Sequence, residues 1–360
     1  MNRFFISALA LVLLGAAPAA PSMDELLRRH VDALGGAAAV ASVHSFVLHG
    51  WYKEGSFRLD DTYVAQMRPF YRVIGSPSDP LGEIHEGYDG SAWEYYPDPG
   101  IVVRTIAQAA RTTRHTALFD DPLVRPQARG ITLQLRGEQT FYGNDAYVLH
   151  VRLADGYEED YFLDRRTYLI DGRAEVVPMH AYGKRYSTQD VYGDYRPEGG
   201  VMFHHSDREI DSATGAVLDE GGVSSVEINP VLPVSMFSPP QWNRTPLQQM
   251  IQNMYDERDE TVAVLATYRD FAAMVDLKAP ATGDAVDFTG YQMLKMGHGE
   301  TAVALLSNNV EDHPRSPRAH FGLGRALAAT GDRARAKQEF ERTLALDPSY
   351  HRAREALTQL

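Results

Sequence analysis

Four positions near the C-terminus recur after 34 residues with the same identity: Gly290 with Gly324, Gly297 with Gly331, Ala302 with Ala336, and Pro314 with Pro348. A period of this length belongs to stacked helix-turn-helix units, where small residues let two helices approach and a proline closes each unit. The clearer copy runs over about 318–348 and the weaker one over about 284–314, with Leu306 where the second has Phe340. Pro280 lies another 34 residues before Pro314, which hints at a degenerate unit ahead of the two.

The second copy, AHFGLGRALAATGDRARAKQEFERTLALDP, resembles the tetratricopeptide repeat: Leu323, Gly324, Leu327, Gly331, Ala336, Phe340 and Pro348 fall on that family's small and apolar positions. His320 stands where the family has an aromatic residue and Thr343 where it has alanine. The resemblance implies a groove lined by the first helix of each unit, with Arg318, Phe321 and Arg325 facing it. Two cations flanking a ring suit a partner segment that carries a carboxylate and an apolar anchor. The predicted partner of the repeats is therefore a protein. Tyr350 to Leu360 (350–360) reads as a cap, and helical spacing over Leu247 to Lys278 supplies support on the other side.

At the N-terminus, Arg3 precedes the apolar run Phe4 to Gly15, and small residues follow through Ala20. This reads as a secretory signal over residues 1–19, and it predicts a periplasmic or secreted chain. The run is too short to cross a bilayer, and no later stretch is long enough, so no transmembrane segment is expected in the mature chain. The chain has no cysteine, which excludes disulfides, thiol nucleophiles, Cys-ligated metals and an acylated N-terminal Cys. A net charge of −13 argues against nucleic acid as a partner.

Between the ends the hydrophobic period changes twice. Met23 to Leu34 places Leu26, Leu27, Val31 and Leu34 at helical spacing, and Gly35-Gly36 stops it. From Val43 to about Asn229 the dominant period is two, cut by turn pairs such as Asp89-Gly90, Asp155-Gly156 and Gly199-Gly200, which suits an antiparallel meander. One helical interruption is expected at roughly Val103 to Leu118. Five prolines between Pro230 and Pro246 then mark a boundary, so the chain divides into 20–235, a linker at 236–246, and a helical 247–360. The fold class is α+β: a curved antiparallel sheet followed by an all-α repeat domain.

Several β-region segments resemble the outer-membrane lipoprotein-sorting (LolA/LolB-like) superfamily. They are the opening helix with its Leu-Gly-Gly end, the run Tyr88 to Pro97, the run Tyr161 to Ile170, and Asp194 to Val201. The resemblance covers about 23–235 and implies a half-barrel with helices plugging its concave face around an apolar cavity. Phe57, Tyr63, Met67, Trp93, Tyr95, Tyr147 and Leu149 are the residues expected to line that cavity together. The same alternation would also serve a plain packed face.

No HExxH, phosphate-binding GxxxxGK[ST] or GxSxG pattern occurs, and no catalytic or metal-ligating set is assigned. His205 and Asp207 can share a strand face, with His204 on the other, but two ligands are short of a site. Asp120-Asp121 and Glu158-Glu159-Asp160 read as solvated charges, and His298, His313, His320 and His351 as exposed positions on the repeats. The reading is a binding protein without a cofactor, holding an apolar ligand such as a lipid or acylated protein and docking a protein partner. A hydrolase or hydrolase subunit using the β-domain cleft, and a scaffold or sensor in an envelope complex, are the alternatives.

Overall fold

The computed structural model describes residues 21–54, 57–67, 70–75, 84–105, 107–116, 121–178, 185–239 and 245–360. Helix α1 (Met23–Ala33) starts where the Ser22 hydroxyl accepts from the Glu25 N–H at 3.3 Å, with Asp24 and Glu25 in the first turn to meet the helix dipole. It buries Leu26, Leu27 and His30 on one face, and a short α2 (Ala37–Ser42) follows.

Among the described residues the strands form one antiparallel sheet of 13. They are β1 (Ser45–Glu54), β2 (Phe57–Gln66), β3 (Phe70–Gly75), β4 (Ile84–Tyr88), β5 (Ala92–Tyr96), β6 (Ile101–Arg104), β7 (Thr132–Phe141), β8 (Asn144–Arg152), β9 (Glu158–Asp164), β10 (Ile170–Pro178), β11 (Arg185–Glu198), β12 (Val201–Asp211) and β13 (Val217–Ile228). Their order is β6-β5-β4-β3-β2-β1-β13-β12-β11-β10-β9-β8-β7, so every strand pairs with its chain neighbour except at the centre, where β1 meets β13. A sheet this wide must curl, because strand twist accumulates. The curl leaves β6 and β7 as unjoined edges. Helix α3 (Ala107–Thr116) spans the two arms and touches β4 and β5 on one side and β10 on the other.

The expected helix from Val103 is corrected at its start. The β-branched run Ile101-Val102-Val103 pairs with β5 and keeps the strand going to Arg104, so the helix begins only at Ala107. Residues 117–120, where the expectation placed its end, lie outside the described residues.

The C-terminal helices are α4 (Pro246–Asp256), α5 (Thr261–Asp270), α6 (Pro280–Lys295), α7 (Gly299–Asp312), α8 (Pro317–Ala329), α9 (Arg333–Leu346) and α10 (His351–Gln359). The 34-residue period now has a physical reason. Gly297 and Gly331 both sit at left-handed φ, +90° and +92°, where they end α6 and α8. Gly290 and Gly324 lie under the next helix: a Cβ there would come within 2.5 Å of Leu306 and 2.6 Å of Phe340 respectively. Each repeated glycine thus ends a helix or admits a neighbour. The α4/α5 pair stands ahead of the two repeats, and its Met250, Ile251, Met254 and Val264 join the repeat core. That core also takes in Tyr96, Ile101 and Val103, so the end of one sheet arm is packed into the helical domain.

Candidate functional site

Between α1, α2 and the cavity-side face of the sheet lies a space of about 600 Å³, within the range of small-ligand sites. Its apolar part is formed by Leu34, Val40, Phe46, Leu48, Val201 and Phe203. Its polar part runs from Glu159 and Arg173 to Asp190, Glu209 and Asp219.

The closure beside this space is ionic. His30, fully buried on α1, has Nδ1 at 2.7 Å from the Tyr168 carbonyl and Nε2 at 3.0 Å from Asp121 Oδ2. Both partners only accept, so both ring nitrogens must donate and the ring is an imidazolium. Burial opposes that charge, yet the Asp121 carboxylate and the two hydrogen bonds outweigh it and the histidine is held above its ordinary value. Asp121 is therefore a partner of a buried cation, which corrects its reading as a solvated charge. Its oxygen also accepts from the Leu123 N–H at 2.7 Å, fixing the segment that brings Pro122 and Val124 to the cavity.

Arg173 organises the polar wall. Its Nε donates to Asp190 at 2.6 Å, while Nη2 lies 2.7 Å from Glu175 and Nη1 3.5 Å from Glu159. The Tyr157 hydroxyl donates to Glu175, and the Tyr192 hydroxyl donates to Asp190 at 3.3 Å. One guanidinium thus serves three carboxylates. Burial pushes the Glu175 carboxyl up, with the neighbouring Glu159 and Asp190 charges adding to the effect against the pull of Arg173. Glu159 is 5% exposed, which corrects its reading as solvated. On β12, burial together with the Asp219 and Asp190 carboxylates pushes Glu209 up to about 8. His204, stacked on Tyr192 with ring centroids 4.5 Å apart, is lowered by burial to about 4 and is neutral near pH 7.

The register decides which predicted residues meet. Side chains directly opposite across antiparallel strands share a face. Tyr63 pairs with Arg72, Arg72 with Glu86, and Glu86 with Glu94, so Glu94 and not Trp93 continues the face of Tyr63. Tyr63 lines the cavity. Trp93 and Tyr95 lie on the opposite face: Trp93 is fully buried with its Nε1–H donating to the Phe237 carbonyl at 3.0 Å, and Tyr95 meets the His85 ring edge-on. Tyr147 and Leu149 belong to the core under Leu26 and Leu27 of α1, beside the cavity residue Tyr161. Met67, just past the end of β2, is 48% exposed, and the Phe57 side chain lies outside the described residues. The residues that sequence reasoning missed are Arg173, Glu175, Asp190 and Glu209. Three of them carry a weak signal, a second charge two residues away on the same strand, as Arg173 with Glu175 on β10 and Glu209 with Asp207 on β12, whereas Asp190 on β11 has none.

The metal-like strand motif is separated by its neighbours. His205 is buried with Nδ1 at 3.2 Å from the Val223 carbonyl and Nε2 at 3.1 Å from Glu198, whereas Asp207 lines the cavity. Among the described residues no group of three or more His, Asp or Glu side chains is placed to hold a metal ion.

In the repeats, Arg318, Phe321 and Arg325 are brought together around Asp287 and Tyr291. Arg318 Nε donates to Asp287 at 3.2 Å and its Nη1 lies 3.5 Å from Asp98, in the turn between β5 and β6. Arg325 lies over the Tyr291 and Phe321 rings at 4.5 and 5.0 Å, and Phe321 is 4% exposed. The Tyr96 ring lies 4.4 Å from that of Phe288. The face of these helices that carries Arg318 is therefore met by the chain's own β5–β6 hairpin. His320, read as exposed, is 7% exposed instead, with Nδ1 at 2.6 Å from Glu339 and Nε2 at 3.1 Å from the Pro314 carbonyl.

A family model described as Tetratricopeptide repeat matches residues 293–360, so these C-terminal helices carry that repeat. No curated protein matches the chain. Solved structures similar to the sheet domain include one described as an outer membrane lipoprotein-sorting protein domain, from Vibrio parahaemolyticus, at 11% identity and TM-score 0.43, covering 60% of this chain and 97% of that one. A DUF1329 family protein from Desulfovibrio piger is similar at 12% identity and TM-score 0.42, covering 60% and 97% respectively. A LolA superfamily protein from Nitrosomonas europaea is similar at 14% identity and TM-score 0.42, covering 61% and 99%. Among the described residues no helix is long and apolar enough to cross a membrane.

Proposed function

We propose that this chain is an exported binding protein whose sheet domain holds the apolar part of an amphiphile, while its repeats dock a protein partner in the cell envelope. The observation that carries the reading is the cavity itself. A space of about 600 Å³ has an apolar wall of Leu48, Val201 and Phe203 on the strands, faced by Leu34 and Val40 from the helices. Packed sheet faces leave few voids larger than a water molecule, so a space of this size is a feature to be filled. The signal-like run Phe4 to Gly15 supports export, although it lies outside the described residues.

Native mass spectrometry on the full chain recovered from an envelope fraction tests the reading. One lipid-sized adduct per protein, removed by organic extraction, is expected. Recovery of the bare mass under conditions that preserve a known lipid complex would count against it.

A further inference from the structure

The β5–β6 arm crosses the C-terminal helices in order. Strand β6 is bonded by Gln248 and Gln252 of α4, the Tyr96 ring lies on Phe288 of α6, and the carboxylate of Asp98, in the turn, reaches Arg318 of α8. These contacts differ in strength. Tyr96, Ile101 and Val103 are buried in the helical core, which fixes the strands. Asp98 is 74% exposed and its oxygen lies 3.5 Å from Arg318, so this ion pair competes with water and is weak.

Arg318 is one of three guanidiniums at this place. Arg318, Phe321 and Arg325 follow one another three and four residues apart on one face of α8. Arg325 lies over the Tyr291 and Phe321 rings at 4.5 and 5.0 Å, and Arg352 of α10 lies over Phe321 at 5.0 Å. The Tyr350 hydroxyl is within electrostatic reach of all three arginines. The nearby carboxylates of α6 bond to Arg318: Asp287 accepts from its Nε at 3.2 Å, and Asp284 lies 3.8 Å from its Nη1. Arg325 feels the Asp287 charge through space, yet among the described residues it has no hydrogen bond and no ion pair, and its Nε is buried without a partner. Two rings thus hold a planar cation whose donors are unspent, an arrangement suited to bidentate capture of a carboxylate.

We propose that this place takes a carboxylate side chain from an extended segment of a partner protein, and that Asp98 is its built-in competitor. The partner's carboxylate accepts from Arg325 and displaces Asp98 from Arg318, and Asp98 turns to water. The exchange costs little, because Asp98 is mostly solvated before it. The strands of the arm do not move. The inference rests on the reading of the repeats as a docking site and adds the chemistry of the partner and the residue that opposes it.

Fluorescence polarisation of the full chain with a labelled heptapeptide, Gly-Ser-Leu-Glu-Leu-Ser-Gly blocked at both ends, and with its Gln counterpart tests this at low ionic strength. The Glu peptide is expected to bind about tenfold tighter than the Gln peptide, the scale of a charge-assisted hydrogen bond, and to lose that advantage as salt is raised. Arg325→Gln, with a melting curve to confirm its fold, should remove the advantage. Asp98→Asn should tighten binding of the Glu peptide about threefold, the scale of an exposed ion pair, and leave the Gln peptide unchanged. Equal affinity of Asp98→Asn and the unaltered chain for the Glu peptide overturns the competition. Equal binding of the two peptides by the unaltered chain overturns the carboxylate site while leaving the docking reading intact, and binding of neither overturns both.

Discussion

The Gln248 side chain takes the place of a neighbouring strand beside Val102: its Oε1 accepts the Val102 N–H at 3.1 Å and its amide donates back to the Val102 carbonyl. Gln252, one turn further along α4, does the same for Arg104, accepting its N–H at 3.0 Å and donating to its carbonyl at 3.4 Å. Two glutamines four apart on a helix thus satisfy the β6 edge, which would otherwise offer free backbone groups to another chain. Replacing both with leucine should destabilise the protein by roughly 1 to 3 kcal/mol and promote association. Denaturant unfolding together with light scattering reads the two effects. A monomer of unchanged stability would show that the edge needs no cover.

The His30–Asp121 clasp predicts a pH profile. The folded-state pKa of His30 is raised, so its contribution is complete below about 6.5 and is lost as pH rises through the folded value. For Asp121 burial opposes the charge but His30 and the Leu123 N–H prevail, so its pKa is lowered and its contribution is lost only as pH falls below about 3.8. Stability should be flat between these limits and decline on the alkaline side, whereas His30→Leu should be less stable by about 1.5 to 3 kcal/mol in the flat region and show no such decline. Urea midpoints across pH check this. A parallel decline in both proteins would place its origin elsewhere.

Trp93 and Met67 separate packing from pattern. Trp93 is fully buried against Phe237, so Trp93→Ala should cost roughly 3 to 5 kcal/mol without changing ligand affinity in the remaining folded protein. Met67→Ala, at a 48% exposed position, should stay within about 0.5 kcal/mol. Thermal unfolding of the two variants decides, and a mild Trp93 effect would contradict the assigned face.

Reversing Arg318 and Arg325 to glutamate together should lower the melting temperature. Asp287 is 4% exposed and Arg318 donates to it, so the reversal leaves a buried carboxylate among like charges, at a cost of roughly 3 kcal/mol or more. Unchanged melting would mean that these arginines are not structural. A partner pull-down with this variant is informative only alongside that melting curve.

The contrast between what sequence showed and what it hid follows the range of the interactions. The repeat was visible because Gly290, Gly297, Gly324 and Gly331 answer to contacts within one unit. Helix α1 was visible because Ser22, its apolar stripe and the glycines after it are local signals. The faces of β2 and β5 were each readable by alternation, but relating one to the other needs the register through β3 and β4, and a one-residue difference exchanges the faces. Alternation alone therefore groups Trp93 with Tyr63, and only the register separates them. Neither Arg173 nor Asp190 is unusual alone, and their meaning arises only when β9, β10 and β11 bring Glu159, Glu175 and Asp190 around one guanidinium.

A blocking substitution tests most directly whether the cavity is a binding site. Leu48 lines the cavity from β1 and is only partly buried, so Leu48→Trp should fill the space with little rearrangement of the core. Titration of dodecanol into the unaltered chain and into Leu48→Trp, with unfolding curves to confirm that both are folded, is the measurement. One dodecanol bound per unaltered chain and none by the folded variant is the predicted result. Equal binding by the two, or no binding by the unaltered chain, would contradict the account.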